Sequence, residues 1–496
     1  MIPVLLAFAC SSPEHQRVGP AVRPPLDEAD DTGLELPEDT AVEDTGEPEP
    51  EPEPEPLADP FEPREVEHYE MVDVSEDLEE MLEFGRLPGS CEAFERHPDR
   101  MDLQRMCGKE MFFYDPLDTV GVPAPLVDFL LQNMQDEVGE GFSEFGLIAD
   151  PYSDAGLPLG MASSAEDTYA FTCASCHFGQ TPDGRYAVGQ PNHDYDYGAH
   201  NLALTLVPTS LTTSRDQMGQ QAVADIEPLL DRLDGDWWLK AQLGMALLGL
   251  LGTEIPEFPA ETQDLYARWK PGTMDFLIAP LPLDDGVHTI SRIPPLWGMP
   301  TVEEREAAGM EHAMLGWTGN TPTTEEFVYW FGVLGGGVHP SADQIEPLAV
   351  YLESLEAPEP LDVDGDELGH ELFVSECLDC HQGPRGSGLE VMDIEDIGTE
   401  DAITYWMDPS GTGNPCCNDE VPDDFVTGGI KSPRLVGLWA QQRFLHNGSV
   451  ESLEALLCLE EREDISEAAF ADYGHEFGCE LSVSDREALI DWLESH

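Results

Sequence analysis

Apolar residues recur with helical spacing in several segments of the chain, and this pattern predicts a mainly α protein with long irregular loops. Two segments carry the pattern of a capping box, at Ser341 with Gln344 and at Ser484 with Glu487. No alternating run is long enough to predict a large sheet. The predicted helices cover 124–137, 223–233, 237–251, 341–355, 366–379, 449–458 and 484–494.

The most apolar segment is WWLKAQLGMALLGLL at 237–251, which Lys240 and Gln242 interrupt. A helix needs about 18 apolar residues to span a bilayer, and no stretch of the chain reaches that length. The segment therefore predicts a buried core helix.

Composition divides the rest of the chain into a tether and two folded parts. Residues 11–75 contain EPEPEPEPEP and few aromatic or branched apolar residues, which predicts a disordered acidic linker. A second break, EAPEPLDVDGD at 356–366, places a domain boundary near 360. The predicted domains are 76–360 and 361–496.

The second break also contains Asp362, Asp364 and Asp366, spaced as in a calcium loop. Its glycine is misplaced and no Glu follows at the twelfth position, so a solvated, helix-capping loop is the favoured interpretation. Calcium is the alternative.

The charge balance is strongly acidic, with 101 acidic against 22 basic residues and a formal net charge of −79. Such a surface repels nucleic acid and anionic lipid and attracts a basic protein partner. A high-salt habitat is the other explanation.

The first ten residues, MIPVLLAFAC, resemble the end of a lipoprotein signal, although a positive n-region is missing. We expect an exported, periplasmic or cell-surface protein that touches the membrane only through lipid on Cys10. The alternative is a chance apolar N-terminus.

Cysteine usage fits export. Beyond Cys10 and the two motifs below, six cysteines remain, enough for up to three disulfides. Cys91 with Cys107 is the favoured local pair, and Cys458 with Cys479 could close the last loop. Cys416 and Cys417 complete the set.

The sequence C-x-x-C-H occurs twice, at Cys173, Cys176 and His177 and again at Cys377, Cys380 and His381. CxxC alone would suit a redox dithiol or half of a zinc site. The following histidine instead predicts haem c, because the two thiols form thioethers and the imidazole binds iron. We therefore expect two covalently bound haems, one in each cytochrome c-like domain.

Several stretches resemble the bacterial di-haem cytochrome c peroxidase superfamily, which includes the tryptophylquinone maturation enzyme. They are GLPLG at 156–160, PPLW at 294–297, LGWTGN at 315–320, ECLDCHQG at 376–383 and the HNGS-containing segment 431–457. The wide haem spacing, the W-x-G-N segment and GHEFGCELSVSDREALIDWL at 474–493 resemble the di-haem rubber oxygenase branch more closely. The resemblance implies chemistry at the first haem and electron transfer through the second.

Within this resemblance, the peroxidases bind the second iron through a methionine, but this chain has none after Met407. His446 matches the family's HNG histidine, which need not bind iron. His475 in GHEFG is the predicted sixth ligand, with a surface histidine as the alternative.

The resemblance suggests further candidates near the first haem. His193 stands where resting peroxidases carry a removable iron ligand, and a solvated or structural role is the alternative. Glu254 and Glu257 are candidate acid–base residues for peroxide cleavage, or members of an acidic surface loop. Trp297, as a catalytic candidate, and Trp317 could relay electrons between the haems or simply pack. Arg434 is expected to bind a haem propionate.

Three functions remain open at this point. A peroxidase would take electrons from a small basic cytochrome c or cupredoxin. An oxygenase would use dioxygen on an apolar substrate, with the GMALLGLL segment lining its pocket. An electron carrier would have both irons six-coordinate. The peroxidase is the favoured hypothesis.

Overall fold

Helices dominate the computed structural model, as the apolar spacing predicts. It describes residues 71–85, 89–119, 121–164, 167–250, 258–275, 290–334, 339–360, 367–404 and 427–495. The α-helices are α1 (Leu78–Gly85), α2 (Ser90–Arg96), α3 (Met101–Tyr114), α4 (Ala124–Asn133), α5 (Gln135–Val138), α6 (Cys173–His177), α7 (Tyr197–Thr209), α8 (Gln220–Asp225), α9 (Glu227–Gly235), α10 (Trp237–Ala246), α11 (Ala260–Tyr266), α12 (Val302–Ala308), α13 (Thr324–Leu334), α14 (Ala342–Glu353), α15 (Glu367–Glu376), α16 (Ile394–Ile397), α17 (Leu453–Leu456) and α18 (Val483–Glu494).

The strands are short and antiparallel. They form sheets in the orders β1-β6-β5, β2-β4-β3, β7-β8 and β10-β9. Their bounds are β1 (Val74–Ser75), β2 (Val122–Pro123), β3 (Met161–Ser163), β4 (Thr168–Phe171), β5 (Phe178–Gln180), β6 (Tyr186–Val188), β7 (Thr273–Asp275), β8 (Ile290–Arg292), β9 (Val391–Asp393) and β10 (Gly429–Lys431).

One of the two predicted capping boxes is present. Ser341 accepts from the backbone N–H of Gln344 and caps α14. The prediction for the last helix was wrong by two residues, because Ser482 takes the cap position of α18 and accepts from the backbone of Asp485. Ser484 lies two residues too late for this role, already within the first turn of α18.

Among the described residues, the helices surround three apolar cores. The first surrounds α4, α7, α9 and α10, and the second surrounds α1, α3, α13 and α14. In the second core α3 crosses α14 at Gly108, where a Cβ would lie 2.2 Å from the carbonyl oxygen of Pro347. The third core, which begins at Phe373, packs α15 against α18. Residues 11–70 of the predicted tether lie outside the described residues, and at its end Val74–Ser75 forms strand β1 against β6. The boundary near 360 stays a prediction.

The prediction of a fully buried helix at 237–251 was wrong for part of its length. Leu239, Leu243 and Leu247 are buried, but Trp237, Trp238, Met245 and Leu248 are exposed. The segment therefore packs one apolar face against the core and leaves other apolar side chains at the surface. No helix of the described residues is long and apolar enough to cross a bilayer.

Two predicted disulfides are confirmed. Cys91–Cys107 joins α2 to α3, and Cys458–Cys479 closes the loop between α17 and α18. Among the described cysteines, those left free are the four of the two C-x-x-C-H motifs. Cys10, Cys416 and Cys417 lie outside the described residues.

Candidate cofactor site

The first C-x-x-C-H motif forms the single-turn helix α6, directly after strand β4. Thr172 fixes its start, since its hydroxyl donates to the carbonyl oxygens of Phe112 and Phe113 at 3.0 Å. Gly160 of the GLPLG segment passes so close that a Cβ there would lie 2.0 Å from the backbone nitrogen of Ser175. Only glycine permits this approach, and it locks the helix against the neighbouring strand.

The ring of His177 is held by its Nδ1 atom, which lies 2.9 Å from the carbonyl oxygen of Pro294. A carbonyl only accepts, so Nδ1 carries the proton and Nε2 is left with a free lone pair. Burial lowers the pKa of His177 to about 4, which keeps the ring neutral at pH 7. This is the arrangement of a metal-binding histidine oriented by a backbone carbonyl.

His177 and Cys173 line the first cavity, which spans about 950 Å³ together with the open solvent space at its mouth. Its polar groups include Ser291, Asn320 and Thr321. Among the described lining residues there is no carboxylate and no second histidine. Most of the wall is apolar and comes from Leu117, Leu296, Phe327, Val328, Trp330 and Leu352.

The second motif follows α15 and repeats the orientation of the first. The backbone N–H of His381 donates to Cys377 at 3.1 Å, and its Nδ1 contacts the carbonyl oxygen of Gly386. Burial lowers the pKa of His381. Its Nε2 is therefore also left for a metal.

His381, Cys377 and Cys380 line the second cavity, which spans about 1220 Å³ together with the open solvent space at its mouth. His475, the predicted sixth ligand, lines the same cavity. Burial, followed by the neighbouring His381, lowers the pKa of His475 to about 4, and its Nδ1 atom has no hydrogen-bond partner among the described residues. The structure thus brings both histidines around one space.

The thiols of the motifs do not have the character of a redox dithiol. Burial raises the pKa of Cys173 to about 12, and that of Cys176 and of Cys377 to about 11. Reactive dithiols have lowered thiol pKa values instead. The four thiols suit covalent attachment better than thiol–disulfide exchange.

Three buried cations meet between the two cavities. Arg292 and Lys431 are 6% and 4% exposed, and Arg434 donates to the carbonyl oxygens of Trp297 and Pro295. Burial lowers the pKa of Arg292 and of Arg434 to about 10 and that of Lys431 to about 7. None of the three forms an ion pair with a described carboxylate. Buried charge without a partner is costly, so this cluster calls for anionic groups of a ligand.

These features fit haem. Each cavity offers a histidine with Nε2 free and a largely apolar wall. Cys377 and Cys380 both line the second cavity, whereas Cys173 lines the first and Cys176 follows it three residues later in the same short helix. Arg292 lines both cavities, and Lys431 and Arg434 also line the second, where haem propionates would neutralise them. Among the described residues, no three His, Cys, Asp or Glu side chains gather as a set of metal ligands. Haem iron needs only one or two such ligands, because the porphyrin supplies the others.

The remaining candidates are placed as follows. His193 is buried beside the first motif but lines neither cavity, and burial, then Arg292, lowers its pKa to about 3. Trp297 is a core residue whose indole N–H donates to Val188 at 2.7 Å. Their iron-binding and catalytic roles stay predictions. Glu254, Glu257 and the Asp362–Asp366 loop lie outside the described residues.

Sequence reasoning missed several residues of the site. Arg292 and Lys431 join Arg434 from separate strands, β8 and β10, and only the KSPR segment hinted at them. A buried pair was missed too, since Nε2 of His446 lies 3.1 Å from Oε2 of Glu400 at the second cavity. No local pattern links residues so far apart in the chain.

No protein-family model matches the chain, and no curated protein matches it. Among solved structures, hydrazine synthase of Kuenenia stuttgartiensis, pressurised with xenon, is similar at 16% sequence identity and a TM-score of 0.27. The match covers 47% of this chain and 79% of that one. A similarity this low establishes no common fold, and the candidate site stands on the chain's own residues.

Proposed function

We propose that this protein is a di-haem c-type oxidoreductase that reduces hydrogen peroxide with electrons from a small redox protein. The observation that carries the proposal is the pair of cavities, each with a free C-x-x-C-H motif whose histidine is turned by a backbone carbonyl. The two cavities share a wall at Arg292 and Trp317. Two cofactors on either side of one wall suit transfer of electrons between them.

The lining of the cavities supports different roles for the two sites. The second cavity has His381 and His475, which suits a six-coordinate iron that only passes electrons. In the first cavity, His177 is the one histidine among the described lining residues, which leaves room at the iron for a small molecule. Haem would supply the redox chemistry and the peroxide-binding iron. The protein would supply the neutral histidines, the cations and the largely apolar walls.

The second motif also lies nearer the surface, which favours it as the point of electron entry. Leu378, between its two cysteines, and Val374 on the preceding helix are exposed. Carboxylates at Glu371, Glu376 and Asp379 lie beside them in the chain. An apolar patch with an acidic rim suits a small basic donor, which electrostatic attraction would steer.

A second function is supported by the apolar wall of the first cavity. Apart from Arg292, that wall offers no charged side chain among the described residues, which would suit an apolar substrate attacked with dioxygen. None of residues 237–250 lines this cavity, so the expectation that the GMALLGLL segment forms the wall of an oxygenase pocket gains no support. Peroxide reduction remains the first proposal, because the arrangement of the second site provides an entry for electrons.

Two measurements test the proposal. The intact mass after acid–acetone extraction should exceed that of the polypeptide by two haems, and by one after Cys377→Ala with Cys380→Ala. Peroxide should be consumed with a reduced donor, and this activity should vanish after Cys173→Ala with Cys176→Ala. A mass equal to the bare polypeptide would overturn the haem proposal. Oxygen uptake with an unsaturated apolar substrate, without peroxide turnover, would replace peroxidase by oxygenase.

A further inference from the structure

His475 is carried by a covalently closed loop, residues 459–478, here named the ligand arm. The Cys458–Cys479 disulfide joins its two ends. Arg486 of α18 also ties the base of the arm, since its guanidinium donates to the carbonyl oxygens of Leu457 and Cys458. The arm therefore begins and ends at a fixed point on the third core.

Inside the arm, one side chain connects its two sides. Arg462 donates through Nη1 to the carbonyl oxygens of Asp472 and Gly474, both at 2.8 Å. Its Nε and Nη2 atoms donate to the carbonyl oxygens of Ala455 and Leu456 in α17, at 3.1 and 2.9 Å. A single guanidinium thus ties the residue before His475 to the end of a helix.

The backbone at His475 needs such support. His475 has a φ of 50° and Gly474 a φ of 92°, in the left-handed region that a histidine seldom adopts. The backbone N–H of His475 donates to Ile397 at 3.0 Å, and a Cβ on Gly474 would lie 2.6 Å from the Cα atom of Thr399. The conformation persists only where its surroundings fix it.

We propose that Arg462 is a positioning residue that holds His475 in the second cavity, facing the iron bound by His381, and that the Cys458–Cys479 disulfide anchors the arm on which it acts. This inference rests on the proposed haem at the second site. Arg462 does not itself line the cavity, although its charge acts on His475 and it donates to the carbonyl oxygen of the lining residue Leu456. Arg462 acts through its hydrogen bonds to the carbonyl oxygens of Asp472 and Gly474, which hold the backbone conformation that leads into His475.

The test compares Arg462→Gln with wild-type holoprotein by electronic spectroscopy and by binding of added imidazole. Loss of charged hydrogen bonds should release His475, so one haem should gain high-spin character and bind imidazole about tenfold more tightly. Added imidazole should restore the low-spin spectrum by filling the vacated position. Arg462→Lys keeps the positive charge but can make fewer hydrogen bonds. Its high-spin fraction and imidazole affinity should therefore lie between those of Arg462→Gln and the wild type.

The matched control is Arg486→Gln, because Arg486 also donates to two carbonyl oxygens of the arm's base but to none beside His475. Its spectrum should equal that of the wild type. If Arg462→Gln does not fold, the Cys458→Ser, Cys479→Ser double variant tests the same arm and should bind imidazole more tightly than wild type. Two retained haems with an unchanged spectrum and unchanged imidazole affinity would overturn the inference alone. Absence of haem from the wild type would overturn the proposed function, and this inference with it.

Discussion

The guanidinium of Arg292 lies over the indole ring of Trp317, with 4.8 Å between the guanidinium carbon and the ring centroid. Both residues line both cavities. The Nε and Nη1 atoms of Arg292 have no partner among the described residues, and neither has Nε1 of Trp317. A buried cation therefore faces the space where two cofactors would approach each other, and its charge would act on both.

Replacing Arg292 should change the reduction potentials of the haems. Loss of a buried positive charge favours the oxidised state of a haem. Arg292→Leu should therefore lower at least one reduction potential by on the order of 60 mV, which corresponds to about 1.4 kcal/mol for a one-electron couple. Spectroelectrochemical titration measures it. Arg96→Leu is the control, since Arg96 is an exposed residue of α2 paired with Glu92. Equal potentials in Arg292→Leu and wild type would contradict this role.

Removal of His475 should open one iron. His475→Gly should convert one low-spin haem to high spin while both haems remain covalently attached, because the iron that His381 would hold then loses its second proposed ligand. Electronic and electron paramagnetic resonance spectra report the change. His446→Gln, which retains a hydrogen-bonding group for Glu400, should leave the spin state unaltered. If the spin state changes in the His446 variant and not in the His475 variant, His446 replaces His475 as the proposed sixth ligand.

Turnover with a basic protein donor should fall steeply as salt is added. The net charge of −79 attracts a cationic partner, and this attraction is screened within about 10 Å at 0.1 M ionic strength. Steady-state rates between low and high salt measure the effect. A small uncharged donor provides the comparison and should show little salt dependence. Equal salt profiles for both donors would exclude electrostatic steering.

Acid should destabilise the fold through buried histidines. Burial lowers the pKa of His200 to about 3, against about 6.5 in the unfolded chain. The unfolded state therefore takes up the proton first, and stability present above pH 6.5 is lost as the pH falls toward 3. Between pH 7 and pH 5 this residue should account for about 2 kcal/mol of the free energy of unfolding.

Urea titrations at the two pH values measure this loss. His200→Phe should reduce the difference by that amount, because phenylalanine cannot take up a proton and suits the surrounding Phe142 and Phe145 rings. The exposed His312, changed to Gln, should leave the difference as it is in the wild type. An undiminished loss in the His200 variant would show that other groups dominate acid unfolding.

The features that could be predicted from the sequence are those that depend on residues close together in the chain. Helical spacing predicted the mainly α fold, and cysteine spacing predicted Cys91–Cys107 and Cys458–Cys479. Helix α3 was missed because Gly108 in its middle weakens the local signal. Glycine is needed at position 108 because α14 crosses α3 there and leaves no space for a Cβ atom. This contact between distant helices cannot be read from the sequence.

The candidate site was only partly predictable for the same reason. The Pro294 carbonyl that turns His177 is 117 residues away. Arg462 and Arg292 stand in no motif, and their roles arise from the loops and strands that fold around them. Composition even pointed the other way, since an acidic chain gives no hint of a buried cationic cluster.

The burial of the first motif implies an order of assembly. Ala174 and Ser175 are 2% and 1% exposed, Cys176 is 9% exposed, and the helix that carries them is packed against Gly160 and Thr172. Cys173 is partly exposed, but an attachment enzyme would have little access to the buried thiol of Cys176. Thioether formation at Cys176 would therefore have to come before the chain closes around it, whereas the second motif, with Leu378 at the surface between its partly exposed cysteines, could receive its haem later.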